Sequence, residues 1–180
     1  MTEIEVKILE INREEVEKKL LELGAKKTFE GELYALMFDF EGDPLIREKK
    51  TLRLRKEGEK VVFTYKDQTS DTEAKISHEV EVEVSDFEKM KEILEALGLK
   101  VVIKNRKTRT IYELNGTHFA LDKYKDEWDS IPEFLEIEAE DIATIDKYAS
   151  ELGFSKGDYK TWNMKGLVEH YIKDDNSLSL

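Results

Sequence analysis

The sequence predicts an α+β fold in which antiparallel strands close into a barrel and helices pack on its outside. Segments with alternating polar and apolar residues outnumber helical segments, and turn residues separate them. A strand–helix unit also recurs three times. Closure is expected because it removes the unpaired edges of an antiparallel sheet. The 180 residues are enough for one domain with its own core.

The recurring unit consists of an alternating strand, a polar residue, an amphipathic helix and a closing Leu-Gly pair. It spans residues 3–24, 77–98 and 135–153. Aligning the first two units on their glycines places Glu5 on Glu79 without a gap. Apolar residues recur at helical spacing within the units, which predicts helices at residues 13–23, 87–97 and 142–152.

Particular residue types mark both ends of each expected helix. A side-chain oxygen that can accept a free N–H at a helix start is supplied by Asn12, Asp86 and Asp141. The left-handed residue that commonly ends a helix is expected at Gly24, Gly98 and Gly153. Further strands are predicted at residues 33–40, 51–56, 60–66, 101–112, 118–124 and 134–138, with turns at residues 41–44, 57–59 and 115–116.

Composition restricts the class of partner. The net charge is −12, from 41 acidic and 29 basic residues, which argues against a nucleic-acid or anionic-membrane partner. There are no cysteines, and we see neither a signal peptide nor a long apolar run, so we expect a soluble, cytoplasmic protein. Basic residues nevertheless gather in residues 47–56 and 100–109, which favours an anion-binding site.

Several strands carry like charges on one face, because side chains alternate across a strand. These sets are Arg53 with Arg55, Glu79 with Glu81 and Glu83, Lys104 with Arg106, and Glu136 with Glu138. For any single strand, a solvated outer face with surface ion pairs is the simpler interpretation. Stacked like charges, however, need opposite charge between the strands. A metal–polyphosphate ligand supplies it, since Mg²⁺ or Mn²⁺ binds carboxylates and phosphate binds arginine and lysine.

The opening segment Glu3-Ile4-Glu5-Val6-Lys7 resembles the Glu-x-Glu-x-Lys signature of the CYTH domain, the triphosphate tunnel metalloenzymes. Further segments are similar to the blocks of that family and follow in its order: Phe38-Asp39, Leu52-Arg53-Leu54-Arg55, Phe63-Thr64-Tyr65-Lys66, Glu79-Val80-Glu81, Lys104-Asn105-Arg106, Leu121-Asp122 and Phe134-Leu135-Glu136-Ile137-Glu138. The segment Trp128-Asp129-Ser130-Ile131-Pro132 resembles the class IV adenylyl cyclase-like branch. Where the family often has an arginine before its second acidic strand, this chain offers Lys75, Ser77 and His78.

The resemblance implies an eight-stranded antiparallel tunnel over residues 1–172, followed by a flexible tail at residues 173–180. Carried over by position, phosphate would be bound by Lys7, Arg53, Arg55, Lys66, Lys104 and Arg106. Of these, the catalytic residues would be Lys7, Lys66 and Arg106. Magnesium or manganese would be bound, directly or through water, by Glu3, Glu5, Glu79, Glu81, Asp122, Glu136 and Glu138. Simple alternation puts Arg109 on the opposite face from Arg106, so Arg109 is left out.

Three functions agree with such a site. The first is a class IV adenylyl cyclase-like enzyme that converts ATP to cyclic AMP and pyrophosphate. The second is a triphosphatase acting on thiamine triphosphate, nucleoside triphosphates or inorganic tripolyphosphate. The third is a non-catalytic binder of polyphosphate or nucleotides, which the full set of acids disfavours. A homodimer stays open as an assembly.

Overall fold

The computed structural model describes residues 2–70 and 73–172. Its strands are β1 (Thr2–Ile8), β2 (Lys26–Asp39), β3 (Lys50–Glu57), β4 (Lys60–Ser70), β5 (Lys75–Glu83), β6 (Lys100–Leu114), β7 (Thr117–Tyr124), β8 (Phe134–Ala139) and β9 (Tyr159–Lys160). Its helices are α1 (Arg13–Glu22), α2 (Pro44–Arg47), α3 (Phe87–Ala96), α4 (Ile142–Leu152) and α5 (Met164–Tyr171). The predicted tail at residues 173–180 lies outside the described residues.

The first eight strands form a closed antiparallel barrel. Their order is β5-β4-β3-β2-β6-β7-β8-β1, and the pairing of β1 with β5 closes the ring. The short β9 pairs with the end of β1 through Lys7 and Ile8. The predicted eight-stranded antiparallel barrel with outer helices is therefore confirmed.

The helix ends follow the predicted capping chemistry. The side chains of Asn12, Asp86 and Asp141 each accept a hydrogen bond from the backbone N–H three residues later. Such a bond satisfies one of the donors left unpaired in the first helical turn. After each helix the backbone is left-handed, with φ of 88° at Gly24, 90° at Gly98 and 94° at Gly153.

The strands of the three repeated units are neighbours in the barrel, because β1 lies between β5 and β8. Helices α1 and α4 cover the outer face of β1, β7 and β8, where apolar side chains from strands and helices form one core. Helix α3 covers the outer face of β2 and β3, and α5 packs against Trp128 and Phe134 at one end of the barrel. The apolar halves of the strands are thus used outside the barrel, which leaves their polar halves inside it.

Two helices, α2 and α5, were not predicted from the sequence. The single turn α2 begins at Pro44 and is held by Asp39, whose buried carboxylate accepts hydrogen bonds from Phe40, Leu45 and Ile46 N–H. Helix α5 has its N-cap at Asn163. Both lie at the same end of the barrel, where they contribute to the site. No helix in the described part of the chain is long and apolar enough to cross a membrane.

Candidate functional site

The strand register places one ring of charged side chains inside the barrel. Residues directly opposite each other in antiparallel neighbours point to the same side of the sheet. The register opposes Lys7 with Glu136, Asp122 with Arg109, Arg53 with Thr64, Lys66 with Glu79, and Glu5 with Lys75. The interior therefore contains both cations and carboxylates from strands that are distant in sequence.

Lys7 on β1 joins two of these carboxylates. Its Nζ lies 2.9 Å from Glu5 Oε1 and 2.9 Å from Glu136 Oε1. Burial would lower the pKa of Lys7, but Glu136 and Glu5 outweigh burial and hold that pKa well above its usual range. Glu5 also accepts from Lys75 Nζ at 2.9 Å. Burial would raise the pKa of Glu5, yet Lys7 and Lys75 hold it well below its usual range.

Arg109 on β6 forms the second junction. Its Nε donates to Asp122 Oδ1 at 2.7 Å, and its Nη2 contacts both Asp122 and Glu136. The Asp122 side chain is fully buried. Lys107 Nζ contacts the same carboxylate. Burial, then the charge of Arg109, lowers the pKa of Lys107 to about 8.

The opposite wall contains Arg53 and Arg55 on β3. Arg53 Nη2 lies 3.6 Å from Glu79 and 3.5 Å from Glu81, and Arg55 Nη2 lies 3.5 Å from Glu57. The Nε groups of both arginines are buried and have no hydrogen-bond partner among the described residues. Burial, then the neighbouring Arg53, lowers the pKa of Arg55 to about 10. These two arginines are therefore able to accept an anion that the protein itself does not supply.

Lys66 on β4 lies on the same wall, with its Nζ 2.6 Å from Glu79 Oε2. The Glu79 carboxylate is almost fully buried. Glu81 is more exposed and accepts a hydrogen bond from Thr64 at 2.7 Å. Glu138 lies opposite both Glu5 and His118 in the register, beside the interior carboxylates. The Glu3 side chain lies outside the described residues.

The predicted interior placement of Lys104 and Arg106 was wrong. Both side chains are exposed, and their register partners on β2 are the outer-face residues Leu36 and Tyr34. Arg106 lies over the Tyr34 ring, 5.8 Å from its centroid, and 3.8 Å from Asp126. The charges within β6 could not decide which of its two faces is inside. That choice is made by pairing with β2 and β7.

Sequence reasoning missed the residues that β6 does present to the interior, Lys107 and Arg109. Their partners across the register are Tyr124 and Asp122 on β7. In the structure Tyr112 lies on the face opposite to Arg109 and is buried among the apolar residues under α1 and α4, which identifies that face as the outer one. Lys75 was noted only as a departure from the family pattern, and it is an interior cation that contacts Glu5.

A cavity of about 500 Å³ opens at the end of the barrel near α2 and α5. Its lining includes the interior residues Lys66, Lys75 and Met37. It is therefore continuous with the charged ring. Its other lining residues come mainly from the segment around α2, the start of β6 and the start of α5.

The carboxylates suit a hard divalent cation that is shared with a ligand. No group of three or more His, Asp or Glu side chains in the described ranges is arranged to hold a metal ion alone. Glu5 and Glu136, however, both contact Lys7 Nζ, so their carboxylates lie close together. Mg²⁺ commonly takes one or two carboxylates and completes its shell with water and substrate phosphates. The donor set fits magnesium or manganese bound together with a phosphate chain.

The site is thus a closed antiparallel barrel whose interior is lined by buried cations and carboxylates. Residues 1–159 match the CYTH domain family, and the chain belongs to that family. The CYTH family binds triphosphate substrates. The family assignment and the barrel predicted from the opening motif are both confirmed.

Three comparisons show the range of relatives. A protein of Methanocaldococcus jannaschii, named as a proposed adenylate cyclase, is 33% identical over 159 residues, which are 84% of this chain and 86% of the relative. A Pyrococcus horikoshii OT3 structure has a TM-score of 0.77 at 31% identity, covering 92% of this chain and 98% of that one. A Hippeastrum structure, described as a proposed adenylyl cyclase with dominant triphosphatase activity, has a TM-score of 0.63 and covers 94% of each chain. At 18% identity the Hippeastrum likeness shows the fold alone.

Proposed function

We propose that the protein is a divalent-metal-dependent enzyme that acts on the phosphate chain of a triphosphate inside the barrel. The observation that supports this most directly is the environment of Arg53 and Arg55, whose Nε–H groups are buried and have no hydrogen-bond partner among the described residues. Buried Nε–H donors without a hydrogen-bond partner, on two largely buried arginines, are costly unless an anion binds them. Phosphate oxygens match arginine in charge and in hydrogen-bond geometry.

The first candidate reaction is cyclisation of ATP. The ribose 3′-hydroxyl gives up its proton to water and its oxygen forms a bond to the α-phosphorus. The bond from that phosphorus to the oxygen that bridges to the β-phosphate breaks, and pyrophosphate leaves with the electron pair. Arg53, Arg55 and Lys66 bind the phosphate oxygens and neutralise the charge that builds up on the leaving group. Lys7 and Arg109 hold the carboxylates Glu5, Glu136 and Asp122 in place.

Glu5 and Glu136 would hold the metal ion, which supplies Lewis-acid polarisation of the phosphate oxygens when it is bound. The name of the 33% identical relative from Methanocaldococcus jannaschii supports the cyclase as first candidate. The second candidate is hydrolysis of a triphosphate. The oxygen of water forms a bond to the terminal phosphorus, the bond from that phosphorus to the bridging oxygen breaks, and orthophosphate and the diphosphate product leave with one proton released to solvent. The Hippeastrum protein, described by its dominant triphosphatase activity, is the reason to keep this candidate.

Product analysis tests the proposal. The protein is incubated with ATP, thiamine triphosphate or tripolyphosphate and with magnesium or manganese. Cyclic AMP with pyrophosphate identifies the cyclase, and orthophosphate identifies the triphosphatase. We expect Lys66→Ala to lower turnover by about 10²-fold or more, because it removes a cation that contacts the reacting phosphates.

The matched control is Lys60→Ala, which removes an exposed lysine from the other end of the same strand and should leave turnover unchanged. EDTA should abolish turnover and renewed magnesium should restore it. Binding without any turnover would support the non-catalytic alternative. Turnover that persists in EDTA would contradict the metal part of the proposal.

A further inference from the structure

Lys75 is an interior cation to which the proposed reactions assign no role. It lies at the start of β5, and its Nζ is 2.9 Å from Glu5 Oε1. Lys7 Nζ is also 2.9 Å from the same oxygen. Two ammonium groups therefore share one carboxylate oxygen, although like charges repel each other. The Lys75 side chain is 13% exposed, so water screens this repulsion only weakly.

The two lysines are held on Glu5 with different strength. Lys7 also lies 2.9 Å from Glu136 Oε1, so it has two carboxylate partners. Glu5 is the one carboxylate that contacts Lys75 in the described part of the chain. Lys75 also lines the cavity of about 500 Å³, into which its flexible side chain is able to move. Of the two cations on Glu5, Lys75 is therefore the one that is able to leave.

The charges around Glu5 do not favour a metal ion while Lys75 is in place. The ion pairs that link β1, β6, β7 and β8 join three carboxylates to three cations: Glu5, Asp122, Glu136, Lys7, Lys107 and Arg109. Lys75 adds a fourth cation, so positive charge already exceeds negative charge. A divalent cation is repelled by such an excess. Departure of Lys75 from Glu5 removes the excess and frees a carboxylate oxygen.

We propose that Lys75 and the metal ion exchange places on Glu5. In the metal-free protein Lys75 occupies Glu5. When a divalent cation binds Glu5 and Glu136, the Lys75 ammonium group moves into the cavity with its proton, and the phosphate chain of the substrate becomes its partner. This inference rests on the proposed function and adds a coupling to it. The metal ion alone binds weakly, and the metal ion and the phosphate chain favour each other's binding.

The first test measures the affinity of the full chain for Mn²⁺ alone by calorimetry, without substrate and hence without turnover. We expect Lys75→Met to bind Mn²⁺ about tenfold more tightly than the unmodified protein, because the competing charge is gone. The matched control is Lys165→Met, which removes the same charge from an exposed position in the lining of the same cavity. It should change the Mn²⁺ affinity by less than about twofold, because water screens its charge.

The second test detects the movement itself by reductive methylation of lysines and mass spectrometry. In the metal-free protein Lys75 should react slowly, because its side chain is largely buried and contacts Glu5. Addition of Mn²⁺ should raise the methylation rate of Lys75, because its ammonium group then lies in the open cavity. Lys7 is the internal reference. It retains its contact with Glu136 and should react slowly under both conditions.

The outcomes distinguish the exchange from the function on which it rests. Glu136→Gln should weaken Mn²⁺ binding in both the unmodified protein and Lys75→Met. Suppose that Lys75→Met, shown to be folded by circular dichroism, binds Mn²⁺ no more tightly than the unmodified protein, or that Mn²⁺ leaves the methylation rate of Lys75 unchanged. The exchange is then wrong, and the metal site stands. If neither protein binds Mn²⁺, or if Glu136→Gln has no effect in either, the metal part of the proposed function is wrong and the exchange fails with it.

Discussion

Arg109 and Arg55 face the same barrel interior from different walls, and their environments differ. Arg109 lies 2.7 Å or less from Asp122 and also contacts Glu136. Burial would lower the pKa of Arg109, but the charges of Asp122 and Glu136 raise it instead. Arg55 Nη2 lies 3.5 Å from Glu57, and burial lowers the pKa of Arg55 to about 10.

This difference indicates that the two walls of the barrel have different roles. The wall formed by β1, β8, β7 and β6 is internally neutralised, so its side chains are held in fixed positions before any ligand binds. The arginines of β3 carry positive charge that is only partly neutralised. We infer that the first wall is preorganised support and that the second wall provides the affinity for an anion.

The largest expected effect comes from breaking the neutralised wall. Arg109→Met leaves Asp122 and Glu136 buried without their shared cation, which should lower the free energy of unfolding by about 3–5 kcal/mol. Urea denaturation followed by circular dichroism measures the change. The same substitution at exposed Arg106 should change stability by no more than about 0.5 kcal/mol. Equal losses in the two variants would contradict the interior assignment of β6.

Arg106 and Arg109 also show how far the sequence could lead. The repeated unit, its caps and the alternation in β1, β3 and β4 were sufficient to predict helices α1, α3 and α4 and the inner residues of those strands, because apolar faces identify the core. On β6 both faces contain cations and polar residues. Alternation alone therefore showed that Arg109 and Arg106 lie on opposite faces of the strand, but not which of the two faces the barrel interior. The barrel register decides that side, and register is a property of strand pairing that no single strand encodes.

The cavity could not be predicted for a related reason. Its lining combines the loop around α2, the start of β6 and the first turn of α5, which are far apart in the sequence. The loop is fixed by three backbone N–H groups that donate to the buried Asp39 carboxylate. Asp39 was recognised only as part of the Phe38-Asp39 block. The proximity of Met37 and Met164 follows from tertiary packing at the barrel mouth.

The intermediate effect concerns Lys107, which belongs to the neutralised wall and yet has its pKa lowered to about 8, against 10.5 for an ordinary lysine. Below about pH 8 the lysine is charged in both the folded and the unfolded chain. Between about pH 8 and 10.5 the unfolded chain binds a proton that the folded chain does not, so stability should rise with pH, by up to about 3 kcal/mol.

Other groups titrate in the same range, so the prediction concerns a difference between variants. Lys107→Met should remove this contribution, and the stability difference between the two proteins should therefore depend on pH between about pH 8 and 10.5. Urea denaturation at several pH values measures it. A difference that stays constant across the range would mean that Lys107 keeps its charge in the folded protein.

The smallest expected effect on stability concerns Arg55, on the wall that we propose to bind the anion. Arg55→Met removes a buried charge whose partner at 3.5 Å compensates it incompletely. Replacing such a charge by an apolar side chain of similar length should leave the free energy of unfolding unchanged or raise it by about 1 kcal/mol.

The same substitution should weaken tripolyphosphate binding by at least about tenfold, because a charge-assisted contact is lost. Lys56→Met, an exposed change on the neighbouring position of β3, should affect neither quantity. If Arg55→Met instead destabilises the protein as strongly as Arg109→Met and leaves tripolyphosphate binding intact, then both walls serve the fold alone, and the division between support and anion binding is wrong.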